Sequence, residues 1–387
     1  MSLRERLRFD RRELSGAFGD VGTDLPLMIG ILRTTGLHVP SALFAFGLMQ
    51  IMTGLIYGIP MAVQPLKAMA VIVIAQKLPA SALLGGGLAI GISMLVLTVS
   101  GTLSWLGRYV PRPVIRGIQL GLALQLSMLA LKDYLPKDSQ VGYVLAAFSA
   151  TAILVFRTNR RLPITPLILL AGVLWAIVGG KLSIHEIAAS VGFHLPRPHL
   201  PTLSDVITGF VTLAIPQLPL SIGNSVLATQ RLAQDLFPHA KISHKKIGYT
   251  YSLMNLIIPF LGGIPTCHGC GGLAGMHFFG GRTGGAPVIY GLFYITLGLM
   301  FGGAFDTVVK LFPLSLLGVI LMFEAIALMQ NITDVASDKR SFFLCCLCGV
   351  CAAYLPNGYV IALLGGIIVD RLLPPYKEFC EGSRCER

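Results

Sequence analysis

The sequence predicts an all-α membrane protein of 14 transmembrane segments, built as a 7+7 inverted repeat. Three observations predict it. The 387 residues are 54% hydrophobic and only 12% charged, about half the charged fraction of a soluble domain. Stretches such as Ser81–Trp105, Phe210–Ala228 and Val288–Phe305 carry no charge at all, and each can cross a hydrocarbon core of about 30 Å. Two short patterns of the first half also return, in the same order, in the second.

The start of the chain, MSLRERLRFDRRELSG, is charged and lacks the apolar run and cleavage site of a secretory signal. It reads as a cytoplasmic amphipathic segment leading into the first span. The fourteen segments fall at 14–33, 40–58, 63–76, 82–104, 112–131, 140–157, 163–180, 205–229, 245–262, 266–279, 286–304, 308–329, 340–354 and 356–372. The tail after Arg371 is too short to bury a core.

With the N-terminus inside, the cytoplasmic stretches collect Arg4, Arg6, Arg8, Arg11, Arg12, Arg108, Arg112, Arg157, Arg160, Arg161, Arg231, Lys241, Lys245, Lys246, Arg282, Lys339 and Arg340. The opposite side keeps only Arg33, Lys77, Lys132, Lys137, Lys181, Arg197 and Lys310. This is the positive-inside bias. The net charge of +12 therefore reports topology, and because the basic residues sit in short loops it does not point to nucleic acid. Both termini are expected in the cytoplasm, and the membrane is expected to be a cell membrane, plasma or inner.

Leu25-Pro26-Leu27 of segment 1 matches Leu218-Pro219-Leu220 of segment 8, and Ile29-Gly30 matches Ile222-Gly223, an offset of 193. Gly58-Ile59-Pro60 matches Gly263-Ile264-Pro265, an offset of 205. Seven segments per half is an odd number, so the second half, 205–387, must enter the membrane the other way up from the first, 1–204. Inverted repeats of this kind are common in secondary transporters.

In both halves the Gly-Ile-Pro precedes an unusually short apolar segment. Proline lacks an N–H and pushes the preceding residue to extended backbone, so residues 57–62 and 262–266 should be extended. Segments 3 and 10 should then be half-helices starting inside the membrane. Irregular backbone is tolerated there only when buried in protein or lining a cavity. Such helix starts point free N–H groups and partial positive charge at whatever lies in front of them. Two that face each other make an anion site built mostly from backbone.

GGIPTCHGCGGLAGM (262–276) raises the alternative of a metal or haem site. Haem attachment needs C-x-x-C-H, but Gly271 follows Cys270. Zinc needs a second ligand pair, and none occurs nearby. CCLCGVC (345–351) lies in an apolar segment, where cysteine behaves as a small apolar residue. No metal and no cofactor is expected. Thr266 is expected to cap the half-helix, with Cys267 and His268 in its first turn and Gly269, Gly271, Gly272 and Gly275 allowing close approach.

Ionisable residues inside spans are few, and each is a functional candidate. Asp24 lies in segment 1, Lys67 in segment 3 and Glu324 in segment 12, with Asp20 and Arg282 nearer the ends. Asp24 and Lys67 either cancel each other's charge or serve transport, Lys67 offsetting an anion while an acid carries a coupling proton. Thr23, Gln64, Gln217 and Asn224 are neutral donors near the proline-bearing regions, suited to an oxyanion that must bind and leave, or else to interhelical hydrogen bonds.

The stretches GDVGTDLPL, PMAVQPLKAMA, GNSVLATQRLAQDLFP and MNLIIPFLGGIPTCHGCGGLAGMHFFGGRTG resemble the molybdate transporter family, the branch of the sulfate-permease superfamily without a STAS domain. The most specific parts are P-x-x-V-Q-P-x-K-A, matched from Pro60 through Val63, Gln64, Pro65, Lys67 and Ala68, and P-x-C-H-G-x-G-G-L-A-G, matched from Pro265 to Gly275. Cys270 and Met276-His277 depart from the small residue and the glutamine–aromatic pair expected there.

The resemblance implies a uracil-permease-like fold, with a core domain from segments 1–4 and 8–11 and a gate domain from segments 5–7 and 12–14. The substrate would lie between the starts of segments 3 and 10. Together, the two lines of reasoning nominate Thr23, Asp24, Gln64, Pro65, Lys67, Gln217, Asn224, Thr266, Cys267, His268 and Gly269 as substrate-binding, and Asp24, Lys67 and Glu324 for coupling or charge compensation. The expected function is secondary active transport of molybdate, with sulfate or tungstate as close alternatives and the coupling ion open, proton symport being the option carried. No nucleotide-binding G-x-x-x-x-G-K-[ST] loop occurs. From other classes, an anion channel and a membrane-embedded thiol enzyme using Cys267 and His268 stay open. Expected partners are the oxyanion and membrane lipid, with a homodimer left open. No disulfide framework is expected of the eight cysteines, Cys380 and Cys385 included.

Overall fold

The computed structural model describes residues 6–156, 164–179, 183–189 and 191–372. Arg4, Arg157, Arg160, Arg161, Lys181, Cys380 and Cys385 lie outside them, as do the side chains of Arg108, Lys310 and Glu324.

Helices and one small sheet make up the fold. In chain order they are α1 (Arg11–Ala17), α2 (Val21–Thr35), α3 (Val39–Tyr57), β1 (Val63–Pro65), α4 (Lys67–Gln76), α5 (Ala80–Val99) and α6 (Thr102–Tyr109). Next come α7 (Arg112–Asp138), α8 (Ser139–Phe156), α9 (Ile164–Val178) and α10 (Ile184–Ala189). The second half holds α11 (Leu203–Leu236), α12 (His244–Ile257), β2 (Thr266–His268), α13 (Cys270–Phe278), α14 (Gly285–Leu311), α15 (Leu314–Gln330), α16 (Lys339–Tyr354) and α17 (Gly358–Leu372). Among the described residues, six helices are long and apolar enough to cross a membrane alone: α3, α5, α7, α11, α14 and α15.

Several boundaries differ from the sequence expectation. Segment 4 stops at Val99, because Gly101 turns the chain in the left-handed region and α6 starts afresh. Residues 308–311 belong to α14, and the break falls at Phe312-Pro313, where proline forbids continuation. Pro26 sits inside α2 and Pro216 and Pro219 inside α11 without ending either helix. In α11 wider π-helical turns flank that stretch, which re-pair backbone groups around proline.

The packing falls into two groups. α3 lies along α14, α5 against α11 and α12, and α2 against α4. Separately, α7 packs on α15 and α16, α8 on α15, and α16 on α17. Bridges between the groups run from α11 to α7 and α17, and from α2 to α15.

Between the helices of the first group lies the sheet. α3 ends on Gly58 and the turn before β2 ends on Gly262, each with φ of 66°. Glycine adopts this conformation without the Cβ penalty, and each turn sends the chain back toward the middle of the bundle as extended backbone. The extended stretches run further than expected. They continue to Leu66 and Gly269 before α4 and α13 begin, because β1 and β2 pair with each other.

Candidate functional site

β1 and β2 are antiparallel, with Val63 opposite His268, Gln64 opposite Cys267 and Pro65 opposite Thr266. The Leu66 N–H donates to the Pro265 carbonyl at 3.0 Å. Bonded and unbonded pairs alternate in an antiparallel ladder. The Leu66/Pro265 bond therefore makes Gln64/Cys267 the other inward-bonded pair, and turns the amides of Val63 and Thr266 outward. All these residues are buried, and an unmet buried amide is costly.

Two side-chain amides meet the outward groups. Gln50 of α3 donates from Nε2 to the Val63 carbonyl at 2.8 Å and accepts from the Val63 N–H at 3.2 Å. Asn255 of α12 donates from Nδ2 to the Thr266 carbonyl at 2.6 Å and accepts from the Thr266 N–H at 3.0 Å. Each amide stands in for a missing neighbouring strand. Sequence reasoning missed both, although each lies eight positions before a Gly-Ile-Pro, so a signal was present.

The strands deliver the starts of α4 and α13 to one place. Gln64 donates to the Asp20 carboxylate at 2.7 Å. A Cβ on Gly269 would collide with the Gln64 side chain, and one on Gly272 with Asp20 and Ala62. The first turn of α13 therefore needs glycines to accept these two neighbours. Gln217 from α11 accepts from the Met69 N–H at 3.1 Å in the first turn of α4 and donates to Ser221 at 3.1 Å. Its carbonyl thus caps α4, one of the interhelical hydrogen bonds that the sequence left open beside a donor role toward an anion.

Thr266 does not cap α13, and Cys267 and His268 are not in its first turn. All three are in β2, and Gly269 takes the cap position. The cause is strand pairing, which outcompetes an earlier helix start. Successive residues of a strand face opposite ways: Cys267 lies beside Ser225, whereas His268 bonds Thr250 at 2.6 Å and stacks edge-on against Tyr57. The thiol and imidazole do not form a nucleophile–base pair.

Asp24, Lys67 and Pro65 are buried at the same centre, and both Asp24 and Lys67 are near enough to act electrostatically on Cys267. Thr23 is half-buried one position before Asp24. Asn224 is buried nearby, its Oδ1 accepting from Gln119 of α7 at 2.9 Å and from the Cys270 thiol at 3.2 Å. Glu324 belongs to α15, which packs on α7 and α8.

Buried extended backbone, two helix starts and a few buried charges within apolar helices define a multi-pass integral membrane protein. The transmembrane domain of the cyanobacterial bicarbonate transporter BicA has the same fold, with a TM-score of 0.70 at 17% identity, covering 95% of this chain and 98% of that one. The murine Slc26a9 anion transporter in its inward-facing state also superposes at 0.70, with 12% identity over 93% of this chain and 68% of that one.

The family model for a molybdate transporter of the MFS superfamily matches residues 12–126 and 209–328, the two stretches that hold the candidate-site residues described above. Molybdate transporter 2 of Arabidopsis thaliana is 31% identical over 93% of this chain and 87% of its own length. Molybdate transporter 1 of the same plant is 30% identical over 86% and 82%. The chain belongs to the molybdate transporter family, whose members named here are transporters and not enzymes.

Proposed function

We propose that the chain is a secondary active transporter of a tetrahedral oxyanion, molybdate by preference, working by alternating access. One observation carries the reading: the β1–β2 pairing sets the buried starts of α4 and α13 side by side, where an anion can be held by backbone amides. The relatives' substrate and the similarity of fold to anion transporters support it.

The fourteen segments form two inverted halves, 1–204 and 205–387. Support comes from the repeated order of helix, left-handed glycine, strand and short helix, and from the matched Gln50 and Asn255. In this reading α4 and α13 are half-helices. The group containing α2–α5 and α11–α14 is the core, which moves against a gate of α7–α9 and α15–α17. Both termini face the cytoplasm of a cell membrane, and a homodimer is compatible with the arrangement.

Gln64, Pro65, Lys67, Cys267, His268 and Gly269 form the site with Asp24, Thr23, Thr266, Gln217 and Asn224 around it. Asp20, Asp24 and Lys67 are buried there together. A dianion entering beside two carboxylates repels them, and a proton taken up by one acid relieves that repulsion. One acid therefore takes up a proton as the anion binds, and transport is proton symport. Glu324 serves on the gate side.

The test is uptake of labelled molybdate into proteoliposomes, with sulfate and tungstate as competitors. Gln64→Ala and Asn224→Ala should each lower affinity, and Cys346→Ala should leave uptake unchanged. Unaltered affinity in both of the first pair would place the substrate elsewhere.

A further inference from the structure

A cavity of about 880 Å³ opens between α7, α11 and the start of α12, on the face that the arginine distribution assigns to the cytoplasm. Arg112 and Arg116 line it from one face of α7, and Arg231 lines it from α11. Asp235 and Asp334 also line it, so three guanidinium groups face two carboxylates. His244, the first residue of α12, also lines it.

Arg116 connects this cavity to the centre of the protein. It pairs with Asp334 and donates to the Gln119 Oε1 at 2.9 Å. Gln119 in turn donates from Nε2 to the Asn224 Oδ1 at 2.9 Å, and Cys270 at the start of α13 shares that oxygen. Gly223, next to Asn224, lines the cavity wall. A continuous polar row thus runs from an accessible cation to the helix start described above. Asp334 is over half exposed, so its hold on Arg116 is that of a surface pair, worth little and open to replacement by a better acceptor.

We propose that this vestibule is a second oxyanion site, a loading position in which a tetrahedral dianion displaces Asp334 from Arg116 and is held by Arg116, Arg112 and Arg231. The assignment rests on reading the chain as an oxyanion transporter. Planar forked donors match such oxygens, and a doubly charged anion competes well against one carboxylate. A phosphate on a lipid headgroup offers the same chemistry, so the source must be separated by experiment.

The experiment is equilibrium binding of radiolabelled molybdate to the purified full chain in nanodiscs of neutral lipid at low salt. Wild type should hold two ions per chain. Arg116→Gln should remove one and Gln64→Ala the other. Arg231→Gln, at an exposed position, should weaken the vestibule ion about tenfold or more, and Asp334→Asn should tighten it. Raised salt should weaken the vestibule ion first, since exposed charges are screened more than buried ones.

A second ion insensitive to both Arg116→Gln and Arg231→Gln, or a single ion that depends on Gln64 and not on Arg116, overturns the proposal. If Arg116→Gln abolishes both ions, Arg231→Gln decides between a site and a damaged fold. One ion that depends on Arg116 but not on Gln64 keeps the vestibule and removes the central site. In discs containing phosphatidylglycerol the vestibule ion should persist. Its displacement would show that the arginines hold a headgroup, and would overturn the free-ion assignment.

Discussion

Replacing Asn255 by leucine tests the central scaffold most directly. The side chains are similar in size, but leucine neither donates nor accepts. The change removes the 2.6 Å bond to the Thr266 carbonyl, the 3.0 Å bond from the Thr266 N–H, and the 3.0 Å bond to the Tyr251 carbonyl. Thr266 is fully buried, and its amide faces away from β1, so the partner strand cannot compensate. Pro65 opposite it has no N–H to offer in any case.

Each orphaned buried group costs about 1–3 kcal/mol, so the two at Thr266 amount to about 2–6 kcal/mol. Wild-type and variant chains purified in the same detergent would be unfolded by denaturant or heat. The variant should unfold at markedly lower stress and lose molybdate uptake in parallel. Asn255→Gln, which keeps both groups one methylene further out, should lose less. Equal stability and uptake in Asn255→Leu would refute the idea that this amide replaces a strand.

Two further outcomes are expected. Gly269→Ala puts a methyl group into the space of the Gln64 side chain; molybdate affinity should fall at least about tenfold, a loss of roughly 1.4 kcal/mol, while the chain still inserts and purifies, as judged by yield and a monodisperse profile. Asp24→Asn removes a buried acid beside Lys67 and Cys267; uptake should lose its response to an imposed pH gradient, and an unchanged response in flux assays would move the coupling proton to another group.

Much of the scaffold around the candidate site was legible because it is written locally. Proline and glycine act on their own neighbours, so Gly58-Ile59-Pro60 and Gly263-Ile264-Pro265 announced extended backbone before a short helix without any knowledge of the fold. Buried charge is costly wherever it falls, so Asp24 and Lys67 stood out as single letters. Gln64 was named for its chemistry and its place after Pro60. The errors came where a distant partner decided the outcome. Thr266 was given a capping role because threonine often caps helices; its real state depends on a strand about 200 residues away. Gln217 was left between an anion donor and an interhelical hydrogen bond, because nothing near it reveals that Met69 of α4 would claim its carbonyl.

By itself the sequence determined that this chain lives in a membrane and that two short helices, one after Pro60 and one after Pro265, each follow extended backbone. These follow from hydropathy and from the backbone limits of proline, which act within a few residues. Only the tertiary structure decided that β1 pairs with β2, that Gln50 and Asn255 close the edges of that pair, and that Arg116 reaches Asn224 through Gln119. Hydrogen bonds act over about 3 Å, and no local pattern specifies which remote groups folding will bring within that distance.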